Sequence, residues 1–108
     1  MPATLKRAYT GQPGTTDTLL YTVPASTRFR VREIHVVNTT GVIATITLGL
    51  HAAAALAAAN HFLSALDIPA KGVYTGGEGQ VLEAGETIRA LQGTALALTV
   101  HISGVEVT

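Results

Sequence analysis

Four histidines, seven carboxylates, three serines and one run of alternating arginines are the side chains with which this sequence could do chemistry. His35, His51, His61 and His101 are widely separated and have no partner cysteine, so no short ligand spacing marks a metal centre; only strands gathering them in space would make one. Glu83 and Glu86 flank a turn at Gly85 and stand close enough to suggest a glycosidase-like pair. Acids beside a turn glycine are ordinarily solvated, however. Ser26, Ser64 and Ser103 lie in no strained nucleophile elbow. Gly76, Gly77 and Gly79 are not followed by a helix that would complete a phosphate cradle. The expectation is a protein that is not an enzyme, with no catalytic, cofactor-binding or metal-binding residues and no cofactor.

Arg28, Arg30 and Arg32 carry more information. Alternate residues of a strand point to one face, so the three guanidinium groups form a cationic ladder along one side of one strand. Such a ladder is either a solvated outer face, a contact in which carboxylates of a neighbouring subunit meet it, or a polyanion site. Arginine favours interfaces and bidentate pairing with carboxylates, so we take Arg28, Arg30 and Arg32 as a candidate assembly interface. Seven basic residues against seven acidic ones leave no net charge. That balance argues against nucleic acid as the main partner.

The elements that must position these groups are strands. From Ala44 to His51 the apolar residues alternate, and Leu96, Leu98, Val100 and Ile102 alternate with Ala97, Thr99, His101 and Ser103. The latter set faces outward, as a subunit interface or a glycan surface would. Further strands are expected at Thr18–Val23, Thr27–Asn38, His61–Ile68, Val73–Tyr74, Val81–Leu82 and Thr87–Leu91. Within the longest, Phe29 and Val31 have one parity and Ile34 and Val36 the other; a β-bulge near Arg32 and Glu33 would put all four on the core side. A second parity change at Ser103 and Gly104 predicts a glycine bulge that returns Val105 and Val107 to the buried face. Asn38 to Gly41 reads as a hairpin connection, Gly76 to Gly79 as a mobile loop, and Ala52 to Asn60 as one short alanine-rich helix. Residues 1–17 form an amino-terminal arm or an edge strand, and residues 18–108 the domain. About eight short strands with regular turn signals predict an all-β fold: a single antiparallel, jelly-roll-like β-sandwich.

Composition sets the company this sandwich keeps. Hydrophobic residues make up 47% of the chain, but only three tyrosines and two phenylalanines are aromatic. A core of Ala, Val, Ile and Leu fills a thin sandwich better than a deep pocket, and few rings are left to stack on sugars. Charged residues account for 13%, about half the usual share. Faces of Thr, Ala and Gly with so little charge are expected to be covered by other subunits, in a homo-oligomer such as a trimer or in a larger shell. With no cysteine, disulfides and thiolate metal sites contribute nothing. The segment MPATLKRAYTGQPG lacks a secretory apolar core, and no apolar run approaches membrane-spanning length, so a soluble chain made in the cytoplasm without a membrane partner is expected.

The segments LLYTVPASTRFRVREIHVVNTT, ATITLGL, AAANHFL, VLEAGETIRA and ALTVHISGVEVT occur in that order from Leu19 to the end. Together they resemble a class of small bacteriophage virion proteins. In that class a strand ends in Val-Pro, another in Asn-Thr, an alanine-rich connection follows, then a Leu-x-x-Gly-Asp/Glu-x-Ile turn and a terminal Ser-Gly-Val-Glu. The resemblance implies a non-enzymatic structural protein of the virion, made in the host cytoplasm and assembled in copies. A capsid decoration (cement) subunit bound to the major capsid protein is the leading expectation. A neck or tail component, or a glycan-binding module of an adhesion device using Tyr74 to Gly79, is the alternative. The resemblance transfers no functional residue.

Overall fold

The computed structural model describes residues 3–52, 56 and 58–108. Nine strands follow one another: β1 (Ala3–Gly11), β2 (Thr18–Thr22), β3 (Arg28–Asn38), β4 (Ala44–Ala52), β5 (His61–Ile68), β6 (Val73–Gly76), β7 (Val81–Leu82), β8 (Thr87–Gln92) and β9 (Leu98–Val107). One sheet has the order β1-β9-β3-β6, with β7 also pairing to β3; the other has the order β2-β8-β4-β5. All pairings are antiparallel. If β6 and β7 are taken as two halves of one interrupted strand, the first strand pairs with the last, the second with the next to last, and so on to the central pair β4·β5. A long antiparallel ribbon folded over itself in this way is a jelly roll, which closes a two-sheet core with few exposed edges.

The period of two in the sequence becomes the core. Phe29, Val31, Ile34, Val36, Val100 and Ile102 from the first sheet meet Ile46, Leu48, Leu50, Ile88 and Ala90 from the second, all buried. The expected bulge is present: the β3·β9 register runs Val31 opposite Gly104 and then Glu33 opposite Ser103, leaving Arg32 as the extra residue. Because of it Phe29, Val31, Ile34 and Val36 all point inward despite their change of parity. The second expected bulge is not in β9. The register shifts there belong to the neighbours, at Arg32 in β3 and at Ala8 in β1, while β9 runs on without interruption. Gly104 therefore keeps the inward parity, Glu106 follows it, and Val105 and Val107 stay on the outer face, half-buried.

Other expectations are changed or narrowed. β3 and β4 lie in different sheets, so Asn38 to Gly41 begins an arch across the sandwich and is not a hairpin. Leu96 precedes β9, has a left-handed backbone (φ 61°) and is 72% exposed, while Ala97 takes the buried place. Residues Gly77 to Gln80 are bound to β3, with Gly79 N–H donating to the Val31 carbonyl and Val31 N–H to the Gln80 carbonyl. Of the two readings of residues 1–17, Ala3–Gly11 takes the edge strand, pairing with β9 from Ala3 opposite Val107 to Gly11 opposite Val100. Of the expected alanine-rich helix, Ala52 ends β4 and Ala58–Asn60 forms a single 3₁₀ turn; residues 53–55 and 57 lie outside the described residues.

Two buried amides hold one end together. Asn38 Nδ2 donates to the carbonyls of Val42 (2.7 Å) and Ile68 (3.0 Å), and its Oδ1 accepts from Thr40 N (2.9 Å). Gln92 Nε2 donates to the Pro13 carbonyl, and its Oε1 accepts from Leu98 N (2.7 Å). Each side chain is buried with its amide nitrogen and oxygen both bonded to backbone of other residues, as a buried amide must be. Both edges of the first sheet carry the same tripeptide, Tyr9-Thr10-Gly11 and Tyr74-Thr75-Gly76. Each ring folds along its strand over the following glycine, where a Cβ would meet the ring (Tyr74 Cζ at 2.9 Å, Tyr9 Oη at 3.1 Å). Aromatic cover over an edge glycine is a recurrent way to close a sheet edge.

Candidate functional site

The outer face of the β1-β9-β3-β6 sheet gathers the sequence-predicted residues. Opposed residues of an antiparallel ladder share a face, so the register can be read across it row by row. Ala3, Val107 and Arg28 form the first row; Leu5, Val105, Arg30 and Val81 the second; Arg7, Ser103 and Glu33 the third; Thr10, His101, His35 and Thr75 the fourth; and Thr99, Val37 and Val73 the fifth. Arg32, displaced by the bulge, reaches toward β1 and lines a shallow groove with Leu5, Lys6, Arg7, Ser103 and Gly104. Four of the five arginines of the chain thus stand at one end of one face.

The ladder is real but not uniform. Arg28 Nε lies 3.0 Å from Glu83 Oε1, an exposed pair that contributes little to stability. Arg7, Arg30 and Arg32 have no carboxylate within ion-pair distance among the described residues. Around them lie Leu5, 75% exposed, and Val81, 43% exposed. Apolar and guanidinium groups interleaved on a flat sheet, with the cations unpaired, give a surface able to bury Leu5 and Val81 against a partner while offering bidentate donors to its carboxylates.

The other candidates have structural partners. Glu86 Oε1 accepts the Glu83 N–H at 2.7 Å and lies 3.2 Å from His51 Nδ1. The Glu83 N–H holds the Glu86 carboxyl below its ordinary range, against the opposing effect of burial, and His51 adds to the lowering. His61 Nδ1 is 3.3 Å from Ser64 Oγ on edge strand β5. Tyr74 has inward parity opposite Val36 and packs partly buried against the core, so it offers no free platform to a ligand. Burial raises its phenol pKa, with the charge of Glu78 adding to the effect. Among the described residues no three His, Asp or Glu side chains gather as a metal site.

Sequence reasoning missed two pairings. Tyr21 Oη donates a hydrogen bond to Glu106 Oε2 across the sandwich, joining the two sheets at the end opposite Asn38 and Gln92. Burial chiefly, then this hydrogen bond, raises the Tyr21 phenol pKa well above its ordinary value. The other pairing joins His35 to His101 in adjacent strands. The first depends on how the two sheets pack and the second on which strands pair, neither of which a local pattern records; Leu5 and Arg7 likewise extend the arginine ladder only because β1 pairs with β9. Comparison with family models, curated proteins and solved structures gives no match.

Proposed function

We propose that this chain is a non-enzymatic structural subunit of a bacteriophage virion, a capsid decoration protein that docks through the outer face of its five-stranded sheet. The observation that carries the reading is the bare face itself, where among the described residues Arg7, Arg30 and Arg32 have no ion-pair partner beside exposed Leu5 and Val81. A monomer gains nothing from holding three unpaired guanidinium groups around an apolar strip, whereas a docked subunit buries the strip and pairs the cations. The low charge of the chain and the two-sheet jelly-roll frame suit a part repeated many times in a shell. Many weak contacts of this kind add by multivalency. The partners under this reading are further copies of the chain, as a trimer, and the major capsid protein, and the location is the virion. The half-buried Tyr74 gives the glycan-binding alternative no comparable support.

The test is mass spectrometry and cryo-electron microscopy of purified particles from the genome that carries this sequence. The expected result is the chain at fixed stoichiometry, with density for a sandwich whose five-stranded outer face is covered. Purified particles that lack the chain would reject the virion reading. Particles that hold it in the neck or tail would move the site while keeping the class.

A further inference from the structure

We propose that His35 and His101 form a two-imidazole chelate for a divalent transition-metal ion such as zinc, on the outer face of the five-stranded sheet. The two residues are directly opposed in the β3·β9 register. Their ring centroids are 6.1 Å apart and the planes nearly perpendicular, at 88°. Cβ atoms of opposed residues lie about 4.5–5.5 Å apart. Two imidazoles sharing a tetrahedral ion at ~2.0–2.1 Å from each nitrogen place their ring centres about 5 Å apart. The observed separation is within a small side-chain rotation of that value, and the rigid ladder beneath holds the two Cβ atoms in place.

The nitrogens are also open. His51 is engaged by Glu86 and His61 by Ser64, whereas among the described residues neither His35 nor His101 has a hydrogen-bond partner. His101 is exposed and His35 half-exposed, and their row is completed by the small side chains of Thr10 and Thr75. Glu33, two residues from His35 on the same face, balances part of an incoming charge; Arg7 and Arg32 in the same region oppose it. Imidazole suits zinc, copper and nickel and not the oxygen-seeking calcium or magnesium, so the class of ion follows from the ligands. The remaining coordination positions belong to water or to a donor from a docked molecule. The inference does not rest on the virion reading, because the chelate needs only one chain.

The experiment is a titration of the untagged protein with zinc in a non-coordinating buffer, read by calorimetry and by two-dimensional NMR of the histidine rings. One ion per chain is expected, with ring signals of His35 and His101 shifting and those of His51 and His61 unmoved. His35→Ala and His101→Ala should each weaken binding by about tenfold or more, while the double variant His51→Ala/His61→Ala binds as the parent does. Magnesium should produce no shift. Ring signals of His35 and His101 that stay fixed at millimolar zinc would overturn the proposal in the unaltered protein, whatever the variants do. Binding that survives both single replacements would overturn it as well.

Discussion

The two sheets of the sandwich have unlike outer faces. Over the β2-β8-β4-β5 sheet, Leu56 and the 3₁₀ turn that ends at Asn60 lie against β4 as a partial cover. Leu56 and Asn60 approach Gly49 so closely that a Cβ there would stand 2.5 Å from Leu56 Cδ2 and 2.9 Å from Asn60 Oδ1. Asp17 stitches this cover down, accepting from Leu56 N at 3.0 Å and from Arg89 Nη1 at 3.2 Å. The arginine on that face, Arg89, has its acidic partner within the chain. On the β1-β9-β3-β6 face no connection crosses among the described residues, and three arginines have no acidic partner. The same fold therefore covers part of one face by itself and leaves the other bare among the described residues. Substitutions on the finished face should cost stability, and under the docking proposal substitutions on the bare face should cost association instead.

The largest effect falls where the bare face is shaped from beneath. Gly104 lies opposite Val31 next to the Arg32 bulge, and a Cβ there would collide with the Arg30 carbonyl and stand 2.6 Å from Phe29 Cζ. A backbone oxygen and a fully buried ring cannot both move aside. Gly104→Ala is expected to destabilise by about 3 kcal/mol, the upper part of the usual overpacking cost, as read by urea denaturation. A loss below 1 kcal/mol, with the bulge preserved, would mean that the ladder there is softer than its geometry states. Gly49→Ala comes next, at about 2 kcal/mol, because the colliding atoms belong to side chains of the cover and can shift with it. Its signature is faster proteolysis between Ala52 and His61, with the β1-β9-β3-β6 face unchanged in hydrogen exchange.

How far the sequence foretold this division depends on the kind of information involved. Strand positions followed from local alternation: His61–Ile68 coincides with β5, and the change of parity between Val31 and Ile34 located the bulge at Arg32. The same parity argument failed at Ser103, because it assigned the irregularity to β9 when β1 and β3 carry it. A two-residue period reports which side of a strand is buried but not which partner bends. Leu96 failed for a related reason: its spacing fitted the stripe, but the turn before β9 turns it outward. Arg28, Arg30 and Arg32 were readable as a ladder from their own spacing. Leu5, Arg7 and the His35–His101 pair were not, since they join the face only through pairings between segments far apart in the chain.

Smaller effects sharpen the contrast. Asp17→Ala removes the partner of an arginine whose Nε is already buried without a hydrogen bond among the described residues. It should cost about 1 kcal/mol and loosen the cover, as measured by thermal unfolding. The finished side should also be sensitive to acid. The Glu86 carboxyl is held below its ordinary range by the Glu83 N–H, so the folded state binds its proton less readily than the unfolded state. The stability this contributes is fully present above the ordinary carboxylate value and is lost as pH falls through the lower folded value. Glu86→Gln should flatten that acid limb in a series of denaturation curves. An unchanged limb would assign the acid sensitivity to another carboxylate.

The smallest effect on stability, and the most informative for function, belongs to the arginine ladder. Arg28, Arg30 and Arg32 are exposed, and the one ion pair they form among the described residues, Arg28 to Glu83, is exposed on both sides. Replacing all three by Gln should change unfolding free energy by less than about 0.5 kcal/mol, as exposed substitutions ordinarily do. If the bare face docks, the same triple variant should be depleted from purified particles in gel densitometry. Wild-type attachment should also loosen as salt rises, because unpaired surface cations act through a screened field. A conservative control separates charge from shape: Lys at the three positions keeps the charge and loses the planar bidentate fork. Partial recovery with Lys would show that the partner offers a negative surface, and no recovery would show that it offers carboxylates in fixed geometry. Full occupancy of the Gln variant, with its fold intact, would show that the ladder is only a solvated edge and that the bare face is held, if at all, through Leu5, Val81 and Val105.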